Sequence, residues 1–414
     1  MKVMNTDIGG QIFISYRRLP HREQEAVDLM RAMRDRGIPT WRDVDDLQSK
    51  PTEDELTSIL NSPDTAGAVM LIASEVADSA MIRNVEAPNI FKRSLKDEKF
   101  IVLPVIIGIE YEQANSILNQ PAGLQDLSNW NLKRIKGDKA TNDQLEDIAN
   151  ILQVQRLERF TNYVGGTELE MKIFTRQIGN SSQATLLHDF TEYFCARKSN
   201  PNAYHMIESA LKDTAQNILS ATGGVKIIAS GNAPLPLGVL IGSIFSPLAN
   251  HQLSWMQSFA GDQIAEWSLS QRTCDVDITT RVVLSDPGSE EIVIAVGVSA
   301  NIEQAVSTYI EQSNLNPRAV IYAEFASGPV KQGVSIMPEE GLSFVLQVID
   351  KLREVKDNKF MKKANVHLFQ ACPIAMSVLL GQKLNTFSNC TVYEHTPTGK
   401  APYIKVHTFQ PSDF

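Results

Sequence analysis

At 414 residues the chain is too long for one ordinary core, so two or three domains are expected. Its composition, 43% hydrophobic and 21% charged, is typical of a globular protein, and its net charge of −9 argues against binding long nucleic acid but allows a small anionic ligand. The four cysteines are far apart and form no CxxC pair, which argues against a structural zinc site or a disulfide framework.

The chain opens without the apolar core of a signal peptide, and its first 150 residues alternate short apolar runs with amphipathic stretches. This alternation predicts a flavodoxin-like α/β domain, with a parallel sheet covered by helices on both faces and ligands bound beyond the carboxyl ends of the strands. Strands are predicted at Gln11–Ser15 and at residues 38–41, 66–73, 100–107 and 132–135, and helices at residues 22–36, 52–60 and 83–95.

The predicted strand ends carry polar, aromatic and cationic residues that suit a dinucleotide. No GxGxxG follows the first strand, which excludes a Rossmann fingerprint, and the chain has no P-loop motif. Ser74 stands where a phospho-acceptor receiver domain would need an aspartate. Asp43 and its acidic neighbours lack the glycine and the terminal glutamate of a calcium loop, so no metal site is expected there.

Three ordered motifs resemble those of TIR domains. Residues 12–18, Ile-Phe-Ile-Ser-Tyr-Arg-Arg, resemble the opening TIR strand, and Trp41-Arg42-Asp43 resembles the end of the second strand. The spacing from Ser74 to Glu86 is similar to that of the third TIR motif, although the positions between them depart from it. The resemblance implies a domain that cleaves NAD⁺, with Glu86 as its catalytic carboxylate.

The chemistry of NAD⁺ cleavage agrees with a single carboxylate. Nicotinamide leaves as a neutral group and needs no acid, whereas the ribose oxocarbenium ion needs one negative charge. We expect contacts to NAD⁺, which is a substrate and not a cofactor, from Ser15, Tyr16, Arg17, Trp41, Asp43 and Ser74. Two alternatives stay open: Glu86 as a solvated carboxylate near a helix start, and Trp41 as a core residue.

The C-terminal half contains an internal duplication. After a domain at residues 1–155 and a linker at residues 156–166, strands are predicted at residues 184–189, 225–229, 292–298 and 365–369 and at Ala319–Phe325. Residues 233–242 align without gaps onto residues 372–381, and each copy predicts a strand, a polar turn, a helix begun by proline, and a hairpin. Two such lobes predict a ligand site in the cleft between them. Prolines interrupt the apolar run at residues 233–249, so we expect a cytoplasmic protein without a membrane span.

Residues 167–414 resemble the SAVED domain, most clearly at residues 366–373, Gly381 and residues 392–394. SAVED domains are similar to two fused CARF-type folds, and the resemblance implies binding of a cyclic oligonucleotide, with a cyclic trinucleotide as the expected activator. The candidate ligand contacts are Arg197, Lys198, Ser230, Asn232, Ser299, Phe325, Phe369 and Gln370.

A TIR-like domain joined to a SAVED-like domain resembles the effectors of CBASS antiphage systems. We therefore expect ligand binding to assemble a homo-oligomer or filament and to switch on NAD⁺ hydrolysis. Two alternatives remain: a non-catalytic TIR scaffold that assembles on the nucleotide signal, and an enzyme of related fold that transfers deoxyribosyl groups. Linear and cyclic ADP-ribose both stay open as products.

Overall fold

The computed structural model describes residues 6–41, 53–118, 126–176, 184–194, 200–259, 263–331, 334–357, 364–385, 387, 389–396 and 401–410. Three of the predicted site residues, Asp43, Arg197 and Lys198, lie outside these ranges. The chain divides into two compact units: the first comprises Met1–Lys172, Gly179–Asp189 and Gln216–Gly223, and the second comprises Ile173–Ile178, Phe190–Ala215 and Gly224–Phe414. Among the described residues, no helix is long and apolar enough to cross a membrane.

The first unit contains a five-stranded parallel sheet in the order β2-β1-β3-β4-β5. This is the flavodoxin-like order, as the sequence predicts. The strands are β1 Gln11–Ser15, β2 Thr40–Trp41, β3 Thr65–Ile72, β4 Ile101–Ile107 and β5 Lys133–Ile135. The helices are α1 Pro20–Asp35, α2 Glu53–Leu60, α3 Ala87–Ser94, α4 Tyr111–Leu118 and α5 Asn142–Arg159.

Both faces of this sheet are buried, because alternate residues of each strand point to opposite sides. On one face Ile12 and Ile14 pack in a core with residues of α1 and α5. On the other face Phe13 packs in a second core with residues of α2, α3 and α4. The continuous apolar runs of β3 and β4 follow from this burial on both sides.

The linker predicted at residues 156–166 begins inside a helix. α5 continues to Arg159 without interruption and is followed by a π-helical turn, Phe160–Val164. Arg156 is fully buried in the first unit, and its guanidinium donates to the carbonyl oxygens of Gly10 and Thr185. The charged side chain of Arg156 can be buried here because backbone carbonyl oxygens accept its hydrogen bonds.

Two further sheets follow along the chain. The second has the order β10-β9-β8-β6-β7 and the third the order β11-β13-β12-β14-β15-β16. Their strands are β6 Glu168–Phe174, β7 Leu186–Asp189, β8 Lys226–Asn232, β9 Gln252–Ser258, β10 Ile264–Ser268, β11 Ile278–Leu284, β12 Glu291–Gly297, β13 Ala319–Phe325, β14 Asn365–Ala371, β15 Cys390–His395 and β16 Tyr403–Phe409. The helices are α6 Tyr204–Thr222, α7 Leu235–Ile244, α8 Glu303–Ser313, α9 Pro338–Asp357 and α10 Ile374–Leu384.

The order of these strands confirms the predicted duplication. Read from the hairpin edge, β10-β9-β8-β6-β7 corresponds to β16-β15-β14-β12-β13, and β11 is an extra edge strand. In each copy a strand pairs in parallel with the first strand of an antiparallel hairpin, β8 with β9 and β14 with β15. The helix between them is α7 in the first copy and α10 in the second.

Helices α7 and α10 pack against each other at two equivalent glycines. A Cβ atom on Gly242 would lie 2.0 Å from the carbonyl oxygen of Val378, and one on Gly381 would lie 2.1 Å from the carbonyl oxygen of Val239. The alignment of the two copies pairs Gly242 with Gly381 and Val239 with Val378. Each glycine therefore contacts the residue that is equivalent to the partner of the other glycine, as two copies related by a pseudo-two-fold axis would do. Only glycine allows backbones to approach this closely.

Candidate functional sites

The first candidate site lies at the carboxyl end of β1. Ser15 is the last residue of this strand, and its hydroxyl donates a 2.6 Å hydrogen bond to Oε2 of Glu86. Both side chains are buried, with 2% and 7% of their surface exposed. Two of the predicted NAD⁺-site residues, which are 71 positions apart in the sequence, are therefore brought together.

An irregular helical turn places Glu86. It is the last residue of the π-helical turn Ile82–Glu86, in which the N–H of Ala87 donates to the carbonyl oxygen of Ile82. Pro88 follows at the start of α3 and has no N–H, so the regular α-helical bond to the carbonyl of Asn84 cannot form. π-Helical turns of this kind are frequent at functional sites.

The topology of the sheet makes this edge a binding position. The chain moves from β1 to β2 on one side and then to β3 on the other, so the strand order reverses between β1 and β3. In open α/β sheets ligands bind in the crevice at the carboxyl ends of the strands at such a reversal. Ser15 lies at this point.

A second acidic group at the same edge was not predicted. Glu75, which follows Ser74 after β3, accepts a 2.5 Å hydrogen bond from Nε of the buried Arg22, and Nη1 of Arg22 bonds Glu25 at 2.7 Å. Burial alone would raise the pKa of Glu75, but the hydrogen bonds from Arg22 and Ser74 lower it to about 2. Glu75 is thus an ionised partner of Arg22. The sequence signal was an acidic residue at a strand end beside Ser74.

The other predicted NAD⁺ contacts differ in their surroundings. Tyr16 is 6% exposed and packs in the core between the sheet and α1. Trp41 is 7% exposed and stacks on Phe13 with ring centroids 5.1 Å apart, a packing that agrees with the core alternative. Arg17 is half-buried, and Ser74 is exposed with its hydroxyl donating to Glu75 at 3.1 Å.

The second candidate site is an open cavity of about 610 Å³ in the second unit. It is lined by residues from both copies of the duplication and from the segments between them: Gln257, Phe259, Ser299, Val330, Lys331, Val334, Ser335, Ile336, Cys372 and Pro373. Its size is within the range of small-ligand sites.

The cavity is assembled at the carboxyl ends of β12 and β14. The N–H of Ser299, just after β12, donates to the carbonyl oxygen of Ala371 at 2.8 Å, and this fixes the end of β12 against the turn that leads to Cys372. From the other copy, the side-chain oxygen of Gln257 accepts a 3.3 Å hydrogen bond from the N–H of Ala375 at the start of α10. The polar lining, which includes the exposed Lys331, supplies donors suited to phosphate oxygens.

Ser299 is the one predicted ligand contact among the residues that line this cavity in the described structure. Asn232 instead accepts hydrogen bonds from Thr175, at 3.0 Å through its side chain and at 3.1 Å through its carbonyl oxygen. Ser230 is half-buried on β8, and Phe325 is half-buried with its ring 5.0 Å from that of Phe344.

Two of the predicted ligand contacts are buried. Phe369 has no exposed surface and stacks on Tyr393 with ring centroids 4.1 Å apart. Gln370 is 4% exposed, and its side-chain oxygen accepts a 2.9 Å hydrogen bond from Ser377. Sequence reasoning placed both at the strand end, but β14 continues to Ala371, and the residues that line the cavity follow it.

Solved structures resemble this chain at low sequence identity. No curated protein sequence matches the chain. Among solved structures, the Acinetobacter baumannii Cap4 SAVED/CARF-domain containing receptor with the cyclic trinucleotide 3'3'3'-cAAA is similar with 14% identity and a TM-score of 0.48, covering 86% of this chain and 85% of that one. The Moraxella osloensis Cap4 receptor is similar with 11% identity and a TM-score of 0.43, covering 86% of each chain.

A family model also matches the chain, over residues 210–409. It is the model of SAVED, the SMODS-associated and fused to various effectors sensor domain. The duplicated module predicted from the sequence falls largely within this range. Residues 210–409 of this chain are a SAVED domain.

Proposed function

We propose that this chain is an NAD⁺ glycohydrolase switched on by a cyclic oligonucleotide. The first unit would hydrolyse the N-glycosidic bond and release nicotinamide, and the SAVED domain would bind the activator. The observation that carries the catalytic part is the buried pair of Ser15 and Glu86 at the strand-order reversal of a parallel sheet. A buried carboxylate at a ligand-binding edge is a candidate for catalysis because its charge acts in a low-dielectric environment.

The proposed chemistry assigns one task to each of the two side chains. The carboxylate of Glu86 stabilises the positive charge that develops on the ribose as the neutral nicotinamide leaves, and water then adds to the sugar. The hydroxyl of Ser15 donates to Oε2 of Glu86, which favours the ionised carboxylate and fixes its orientation. Glu75 is less suited to this role because Arg22 already neutralises it.

The catalytic proposal is tested by Glu86→Gln, which keeps the shape of the side chain and removes its charge. With activator present, we expect nicotinamide release to fall by about 100-fold or more, as for the loss of one stabilising group in a transition state. Glu112→Gln, on the exposed face of α4, is the matched control and keeps full activity.

A Glu86→Gln protein that releases nicotinamide at the normal rate would overturn the assignment of this carboxylate. Intact ligand-triggered toxicity in cells that carry this variant would instead favour a non-catalytic scaffold. A panel of cyclic di-, tri- and tetranucleotides identifies the activator in the same assay, and a cyclic trinucleotide is the one we expect.

The sensing part of the proposal rests on the SAVED match and on the cavity. Lys331 and the polar residues around it offer hydrogen-bond donors for phosphates, and both copies of the duplication contribute to the lining. We further propose that the bound ligand assembles protomers into a homo-oligomer in which NAD⁺ cleavage is active. Light scattering with and without ligand tests this step: particles that stay monomeric while nicotinamide is released would contradict it.

A further inference from the structure

A cluster of metal-ligating side chains lies in the second unit, apart from the candidate cavity. Within the described ranges, one ring nitrogen each of His205 and His407 and one carboxylate oxygen of Glu208 lie within 4.8 Å of one another. Neither the motifs nor the proposed function uses these three residues.

The fold brings the three donors together from two distant segments. His205 and Glu208 are three positions apart on α6, so they lie on the same face of the helix. His407 belongs to β16, and its Nε2 lies 2.7 Å from Oε2 of Glu208, although 199 positions separate the two residues. The imidazole rings of His205 and His407 are in a T-shaped, edge-to-face arrangement, with centroids 5.0 Å apart.

We propose that His205, Glu208 and His407 bind a divalent transition-metal ion, with Zn²⁺ as the ion that suits them best. Two imidazoles and one carboxylate are a ligand set that zinc takes, with a fourth position left to water. Ca²⁺ and Mg²⁺ require mainly oxygen ligands, and this cluster offers one carboxylate. His205 is exposed and His407 is 4% exposed, so the ion would enter from the side of His205.

The surroundings of Glu208 are compatible with an ion. Glu208 is half-buried, and its carboxylate contacts both His407 and Lys212. Lys212 holds the other oxygen, Oε1, at 2.9 Å and leaves Oε2 to the histidines. An ion bound between Oε2 of Glu208 and Nε2 of His407 would move these two atoms to roughly 3.3 Å apart, as ligands about 2.0 Å from zinc require.

Such an ion would join α6 to the C-terminal edge strand of the third sheet. Because a binding site assembled by the fold is absent from the unfolded chain, the ion would stabilise the folded second unit. Its effect would be structural and separate from NAD⁺ cleavage.

The experiment uses the full-length chain after EDTA treatment and removal of the chelator. Titration with ZnCl₂ is followed by calorimetry, and the melting temperature is recorded with and without the metal. We expect one saturable site and a rise in melting temperature. In His205→Ala, affinity should fall by at least about 100-fold, the upper end of what the loss of one residue that supports a metal costs.

The matched control is His395→Ala, which removes another exposed histidine of the same unit and should leave zinc binding unchanged. Because His205 is exposed, its removal should not prevent folding, and the melting temperature without metal checks this. Lack of saturable binding by the unmodified chain, or equal affinity in the two histidine variants, would overturn the proposal. Co²⁺ provides an independent readout, since a tetrahedral site of this kind absorbs in the visible range and His205→Ala should abolish the band.

Discussion

The two copies of the duplicated module share their helix packing and differ at the ends of their strands. Gly242 and Gly381 occupy equivalent positions and make equivalent close contacts. At the ends of the central strands, by contrast, Asn232 of the first copy corresponds to Ala371 of the second. The carbonyl oxygens of both residues accept hydrogen bonds from the end of the neighbouring strand, but only Asn232 also accepts one through its side chain, from the N–H of Thr175. The turn after Ala371 continues into Cys372 at the wall of the cavity. The backbone is therefore held in the same way at both strand ends, and the side chains there differ.

The packing of the glycines is required by the fold, whereas the side chains at the strand ends are not. The glycines are fixed by a distance between backbones, so both copies retain them. Side chains at the strand ends carry no such constraint, and they diverge into hydrogen bonds in one copy and a cavity wall in the other. An asymmetric site can therefore form near a pseudo-two-fold axis.

The largest expected effect on stability comes from disrupting the close packing of α7 on α10, which both copies share. Gly242→Ala and Gly381→Ala each place a Cβ about 2 Å from a carbonyl oxygen, and the helices must move apart to accept it. We expect each to lower the free energy of unfolding by about 3 kcal/mol, the upper end of overpacking costs. Urea unfolding of each variant measures this.

Gly238→Ala is the matched control on the same helix. A Cβ there would lie 3.1 Å from side-chain atoms of Ile374 and Ser377, which can shift, so we expect a loss of about 1 kcal/mol or less. Unequal losses for the variants at Gly242 and Gly381 would show that the two contacts are not energetically equivalent.

The same contrast explains which features could be predicted from the sequence. The alternation of strands and helices predicted the parallel sheet, and the aligned repeat predicted two lobes. Both features could be predicted because they depend on patterns of neighbouring residues in the sequence. The close approach of Gly242 to Val378 depends on the spacing between helices, which no local pattern records. The strands β6 and β11 were missed; β11 is an edge strand with several exposed residues and lacks a buried apolar run.

The candidate sites were predicted unevenly for a related reason. The pair of Ser15 and Glu86 could be placed because strand ends and motif spacing locate both residues. The burial of Phe369 and Trp41 could not be predicted, because an aromatic residue near a strand end has the same sequence signature whether it packs in the core or faces a ligand. Lys331 was missed because it lies on a connecting segment without a recognisable motif.

A second prediction concerns a buried position at which the two copies carry different titratable side chains. His251 of the first copy corresponds to Cys390 of the second. Burial lowers the pKa of His251 to about 4, whereas an unfolded histidine titrates near 6.5. The neutral ring therefore contributes its full stability above about pH 6.5, and this is lost as the pH falls toward 4, by up to about 3 kcal/mol.

The substitution His251→Cys makes the two copies alike at this position. We expect the free energy of unfolding of the variant to fall less steeply than that of the unmodified chain between pH 6.5 and pH 4. His188, whose pKa burial also lowers to about 4, remains in both proteins and contributes equally. Urea unfolding at several pH values gives the two curves, and parallel curves would show that His251 does not titrate as proposed.

The smallest expected effect tests whether the ligand binds at the cavity of the second copy, where the strand end differs from that of the first copy. Gln257 lines the cavity and holds the N–H of Ala375, whereas the equivalent residue of the second copy, Thr396, bonds the carbonyl oxygen of Ala401 at 2.7 Å. Gln257→Ala should weaken binding of the activating nucleotide about 10-fold, the cost of roughly one hydrogen bond to a charged group. Thr396→Ala should leave affinity unchanged, and calorimetric titration of both variants measures this. If the two variants lose affinity equally, the ligand binds symmetrically to both copies, and the cavity beside Cys372 is not its site.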